Sequence, residues 1–173
     1  MKKFLLLTLC FLILGLTACS QSHPSSRDKS ASSTIITSSS TTARTNAYLR
    51  QLSGKQIRLT IGDQSFTVDL YDNPTANDLY EQLPLTLTVN DYAGWDEKVI
   101  RLDKKLSMQD APDGDEPLYP EVGYYEPGNW IALYYGKIGY WSGKIPLGKI
   151  SATNEQLKKL PDGETVTIEK QKL

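Results

Sequence analysis

The segment Ile57–Leu70 reads IRLTIGDQSFTVDL, and it decides the fold class. Ile57, Leu59 and Ile61 alternate with polar residues, Gly62-Asp63 turns the chain, and Phe66, Val68 and Leu70 alternate again. A period of two sends successive side chains to opposite faces, so both arms are strands that bury one face. A short glycine-containing turn joins such arms as an antiparallel hairpin.

The next segment changes period. In Asn73–Pro84, NPTANDLYEQLP, Asn73 can cap a helix and Pro74 suits its first turn. Thr75 and Asp78 have capping-box spacing, Leu79 and Leu83 share a face, and Pro84 ends the element. Strands follow at Leu85–Val89 and Glu97–Leu102, around DYAGWD. Asp110–Pro120, DAPDGDEPLYP, reads as an acidic, proline-rich loop of solvated turns. It lacks the ligand spacing of an EF-hand calcium loop. Further strands fit Val122–Tyr125, Trp130–Tyr135 and Ile145–Ile150. A second short helix over Asn154–Leu160, with Thr153 and Gln156 as a capping box, precedes a last strand at Gly163–Lys170. Short strands at this density favour a closed or nearly closed barrel, which removes exposed edges.

The N-terminal side is different in kind. Lys2 and Lys3 precede an apolar run from Phe4 to Leu16. That run is too short to cross a hydrocarbon core of about 30 Å and has the length of a signal-peptide core. Leu16-Thr-Ala-Cys19 follows and resembles the lipobox of bacterial lipoproteins, which implies that the Cys19 thiol carries a diacylglyceryl group. A secretory signal with an incidental cysteine and an uncleaved anchor are the other readings. Both leave a cysteine directly after Leu-Thr-Ala unexplained. Ser20–Asn46 is dominated by serine and threonine and cannot bury enough apolar surface to order itself. The expected organisation is therefore a signal over 1–18, a lipidated cysteine with its tether over 19–54, and an independently folding barrel over 55–173. The membrane is the expected partner, through the lipid, and the extracytoplasmic face the expected location.

Residue counting narrows the chemistry. Cys10 leaves with the signal, Cys19 is spent on lipid, and the single histidine, His23, lies in the tether. A disulfide framework, a thiolate nucleophile, cysteine metal ligands and a Ser-His-Asp triad are excluded from the barrel. No metal and no cofactor is implied, and no Gly-rich phosphate loop is present. Without Lys2 and Lys3 the 19 basic side chains fall to 17, against 20 acidic ones, and the basic residues are scattered. Nucleic acid would require a basic stripe, so it is not an expected partner. Ser142 and Lys144 are two apart but flanked by glycine, and do not suggest a serine–lysine pair.

One stretch stands out: Val122–Trp141, VGYYEPGNWIALYYGKIGYW, in which seven residues are tyrosine or tryptophan. Alternation puts Trp130, Ala132 and Tyr134 on one face and Ile131, Leu133 and Tyr135 on the other. A barrel interior accounts for one set, and the other is surplus to it. Tyrosine and tryptophan, apolar in body and polar at the tip, suit half-buried binding rims. Tyr124, Tyr125, Asn129, Trp130, Tyr134, Tyr140 and Trp141 are therefore the candidate lining of a groove for a peptide or small ligand.

The blocks NPTANDLYEQLPLTLTVNDYAGWDEKVIRL, KKLSMQDAPDG, GYYEPGNWIALYYG and PLGKI, in that order, resemble the bacterial cyclophilin-like domain family from about Ile57 to Ile150. The resemblance implies a mainly β fold, a closed eight-stranded barrel with two short capping helices. Most of that family has no established activity, and some members are fused to flavodoxin-like domains. True cyclophilins isomerise X-Pro bonds with an arginine over an apolar groove. That signature is missing here, and Arg58 and Arg101 both sit in alternating strands as outward, solvated residues. The expected function is a binding module without covalent chemistry. The alternative is a weak peptidyl-prolyl isomerase, or folding helper, for exported proteins.

Overall fold

The computed structural model describes residues 47–172. Cys19 and the tether up to residue 46 lie outside the described residues. Among the described residues, a helical turn over 47–49 precedes ten strands and two further helices in the order β1 Leu52–Ile61, β2 Gln64–Tyr71, α1 Pro74–Gln82, β3 Leu85–Asp91, β4 Glu97–Arg101, β5 Gly114–Asp115, β6 Glu121–Tyr125, β7 Trp130–Tyr134, β8 Trp141–Ser142, β9 Lys144–Ile150, α2 Asn154–Lys158 and β10 Glu164–Lys170. Eight of the strands close an antiparallel barrel in the order β1-β10-β3-β4-β7-β6-β9-β2, while β5 and β8 pair only with each other.

The opening hairpin forms as its alternation requires. Ile57 pairs with Val68 and Leu59 with Phe66, and Gly62 takes the left-handed conformation (φ +56°) of the turn. The inward set of Ile57, Leu59, Ile61, Val68, Leu70, Val89, Ile100, Val122, Ile131, Leu133, Val166 and Ile168 makes one buried core. Each large aliphatic side chain removed from water there contributes about 1.5–3 kcal/mol.

The helices close opposite ends, because α1 joins the end of β2 to the start of β3 and α2 enters β10 at the far end of the same ladder. Leu79 and Leu83, from α1 and its C-cap, and Leu157 of α2 all pack into the barrel core. Asn73 caps α1, accepting a hydrogen bond from the Ala76 N–H at 2.8 Å. The Thr75–Asp78 capping box does not form. Both side chains instead hold the backbone of Ser107, Thr75 Oγ1 donating to its carbonyl at 2.7 Å and Asp78 Oδ2 accepting from its N–H at 2.7 Å. At α2 the capping box of Thr153 and Gln156 is present with both bonds. Lys98 donates to the Leu160 carbonyl just beyond that helix at 2.6 Å and pairs with Asp91.

Candidate binding face on the outer wall of the barrel

Strands β4, β7, β6 and β9 lie side by side, and their registers order the residues on their outer face into rows. One row runs Arg101, Trp130, Tyr125, Lys144; the next Val99, Ala132, Gly123, Pro146; the third Glu97, Tyr134, Glu121. The outward set of the aromatic strand is therefore not solvated. Val99, Trp130, Ala132, Tyr134 and Ile138 form a second buried cluster, with Tyr92, Tyr125 and Trp141 packed against it. Segment 92–96, the residues around Ile138 and the β5–β8 pair lie over this wall.

Five rings on this wall are in continuous contact. Tyr92 meets Trp130 at 5.1 Å between centroids, Trp130 meets Tyr125 at 4.8 Å, Tyr125 meets Trp141 at 5.6 Å, and Trp141 meets Trp95 edge-on at 4.7 Å. Cations flank the series, with the Arg101 guanidinium 4.9 Å over Trp130 and the Lys144 ammonium 4.3 Å over Trp141. Such tilted and edge-to-face pairs hold their geometry beyond simple burial. Trp130 is 5% exposed while Trp95 is 41% exposed, so the series runs from anchored to open.

Beneath the rings lies a buried ion pair. Lys144 Nζ donates to Glu97 Oε2 at 3.0 Å, although the two residues lie on strands separated by β6 and β7. The lysine stem spans the middle row, where Gly123 and Ala132 leave room. A Cβ on Gly123 would lie 2.7 Å from the Tyr134 ring. The Lys144 ammonium sits 4.7 Å over that ring. Burial pushes the Glu97 carboxyl up from its ordinary value against the pull of Lys144, and burial likewise pulls Lys144 down against Glu97. Burial, then the charge of Glu97, holds the Tyr134 phenol well above its ordinary value.

Because the folded state raises the Glu97 value, its contribution to stability is full below the ordinary 4.5 and is lost as pH rises through the folded value. Wild type should therefore gain stability relative to Glu97→Gln as the pH is lowered from neutrality toward 4.5. Urea unfolding of the two proteins at stepped pH measures this. A constant difference across the series would contradict it.

A second polar knot adjoins the first. Arg50, four residues inside the described chain, donates to Glu121 at 2.7 and 3.0 Å and to Asp115 at 2.7 Å. Glu121 also accepts from the Tyr71 hydroxyl at 2.9 Å and the Leu118 N–H at 2.8 Å, giving its carboxylate four donors. Burial works against the Arg50 charge, but its bonds to Glu121 and Asp115 outweigh this and the guanidinium is held firmly protonated. Sequence reasoning misses this site from both sides: Arg50 reads as tether, and Asp115 as a solvated turn residue. Asp115 is buried, because β5 lays it against Arg50. Among the described residues, no group of three or more histidines, cysteines or acids is placed to hold a metal ion.

The seven groove candidates divide. Trp130, Tyr125 and Trp141 belong to the ring series, and Tyr134 underlies it, 1% exposed. Tyr124 points into the barrel and is inaccessible, its hydroxyl donating to Asn129 Oδ1 at 2.9 Å. Asn129 holds that ring and the Leu102 carbonyl (2.7 Å) from a left-handed turn position, φ +52°, which asparagine tolerates. Tyr140 is 60% exposed and lies beside Gly114. Tyr92, Trp95 and Arg101 complete the wall. Tyr92 and Trp95, from the DYAGWD turn, carried no strand pattern that would have marked them.

The family model described as the cyclophilin-like family matches residues 59–169. Among solved structures, the chain is similar to the solution structure of a hypothetical protein from Archaeoglobus fulgidus, with 22% identity and a TM-score of 0.52. The match covers 70% of this chain and 98% of that one. At that identity the likeness concerns fold alone. No curated protein matches the sequence.

Proposed function

The chain belongs to the cyclophilin-like family, and we propose that it is a lipid-anchored binding module on the extracytoplasmic face of the membrane. Its outer aromatic wall takes an extended peptide or small ligand without covalent chemistry. The observation that carries this reading is the ring series from Tyr92 to Trp95, buried at Trp130 and open at Trp95. A soluble barrel gains nothing in stability from leaving a tryptophan edge in water, whereas preorganised aromatic surfaces contribute binding energy at little entropic cost.

Titration of a panel of extended peptides against the indole emission tests it. Trp95→Ala should weaken binding at least tenfold, about 1.4 kcal/mol, while leaving the unfolding midpoint nearly unchanged. A variant that binds as well as wild type would remove the wall from consideration.

The anchoring part rests on Leu16-Thr-Ala-Cys19 after a short apolar core. Intact-mass measurement of the mature protein should find a chain that begins at Cys19 and carries acyl mass, and Cys19→Ala should abolish membrane partitioning. An unmodified Cys19 ends the lipoprotein reading.

A second reading, weak prolyl isomerisation, is favoured by Arg101 alone, which reaches over Trp130 at the edge of the wall. Little or no cis-to-trans turnover is expected. Robust turnover abolished by Arg101→Ala would put the isomerase in place of the binding module.

A further inference from the structure

The β5–β8 pair has no hydrogen-bonded neighbour in the barrel sheet. Gly139 and Gly143, both left-handed at φ +82° and +80°, bracket β8 and its Trp141. Apart from bonds within its own turns, the flap is held by a few side-chain contacts, among them the Lys144 ammonium over Trp141. The Gly143 N–H and Ser142 hydroxyl donate to the Asp113 carbonyl at 2.8 and 3.0 Å within the flap itself. The Glu126 N–H donates to the Gly143 carbonyl at 3.0 Å, Arg50 grips Asp115, and Trp141 rests on Trp95 and Tyr125.

Under the flap, Glu97 Oε1, the Tyr134 hydroxyl and Trp130 Nε1 are buried and have no protein partner. Buried polar atoms are almost always hydrogen-bonded, so three in one layer call for a physical explanation. Glu97 and Tyr134 face each other across β4 and β7, and both lie around the single Lys144 ammonium. We propose that the β5–β8 sheet is a lid hinged at Gly139 and Gly143, and that opening it admits a secondary peptide amide to Glu97 and Tyr134.

The chemistry of the guest follows from what waits for it. Glu97 already gives one oxygen to Lys144, so a further charged group would enter a buried pair uncompensated, at high cost. A neutral group is required. It must donate to a carboxylate oxygen and accept from a phenol, and a secondary amide does both with one flat unit. The amide preceding a proline has no N–H and meets only half of this demand. This assignment rests on the reading of the wall as a peptide site, and it adds which backbone group is recognised and how it gains entry.

Thiol labelling separates the two. In the full chain with Cys10→Ser and Cys19→Ser, Val99→Cys places a small thiol in the outer cluster and Val166→Cys places one inside the barrel. Under native conditions Val99→Cys should react with Ellman's reagent at least ten times faster than Val166→Cys, and Asp115→Ala, which frees the flap while Arg50 stays paired with Glu121, should accelerate the first far more than the second. Equal rates overturn the lid. N-acetylalanine methylamide should then change the indole emission saturably, N-acetylproline dimethylamide should not, and Tyr134→Phe should lose the response. An equal response to both amides, or none to either, overturns the amide assignment. If Trp95→Ala still abolishes peptide binding in that case, the wall stands and only the lid and its guest are lost.

Discussion

Beginning the chain at Lys55, or replacing Arg50 with alanine, should destabilise the barrel by about 3–5 kcal/mol. The Arg50 side chain is 9% exposed and those of Asp115 and Glu121 3% and 1%, so removing the arginine strands two carboxylates away from water. Leaving a buried charge without its partner costs far more than the intact pair contributes. A start at Lys55 also deletes Leu52–Gly54 from β1. Chemical denaturation of proteins beginning at residue 47 and at residue 55 measures the loss, and equal midpoints would show that the knot carries no stability. Arg50→Lys should recover only part of it, since an ammonium cannot reproduce the fork that bonds Glu121 and Asp115 together.

Lys144→Met should cost a similar amount, about 3–5 kcal/mol, because it leaves Glu97 buried and unpaired. The double substitution Lys144→Met with Glu97→Leu should restore most of that, because replacing a buried pair by apolar groups of similar volume is often neutral or stabilising. The coupling between the two sites in a double-mutant cycle is the quantity to measure. Additive losses would mean that the 3.0 Å contact does not govern either residue. Full stability in the double variant, with the peptide response gone, would assign the pair to binding rather than to folding.

The alternating strands were legible because their signal is local. Ile57, Leu59 and Ile61 need only their own pleat to declare an inward face, and the interior they share with Phe66, Val68 and Leu70 follows. The cap at Asn73 and the capping box at Thr153 and Gln156 were legible for the same reason, since both partners lie within one turn. The Thr75–Asp78 box was not. Ser107, some thirty residues on, offered both side chains backbone partners that the short-range pattern does not reveal.

The aromatic stretch shows where local reading ends. Alternation separates Trp130, Ala132 and Tyr134 from Ile131, Leu133 and Tyr135, and the structure keeps that division. Which set faces solvent depends on what the rest of the chain lays across the outer wall. Tyr92, Trp95, Ile138 and Trp141 cover it, so Tyr134 is as buried as any core residue.

By itself the sequence determined a β-barrel with an apolar interior, two capped helices and an N-terminal segment of signal-like composition. These are properties of neighbouring residues, set by strand and helix periods and by composition. Only the tertiary structure decided that Lys144 meets Glu97, that Arg50 belongs to the barrel, and that Asp115 is buried. Those outcomes depend on closure of the sheet, which brings together charges 47 to 71 residues apart. The burial of a charge is fixed by the partner that compensates it, and no local pattern records that partner.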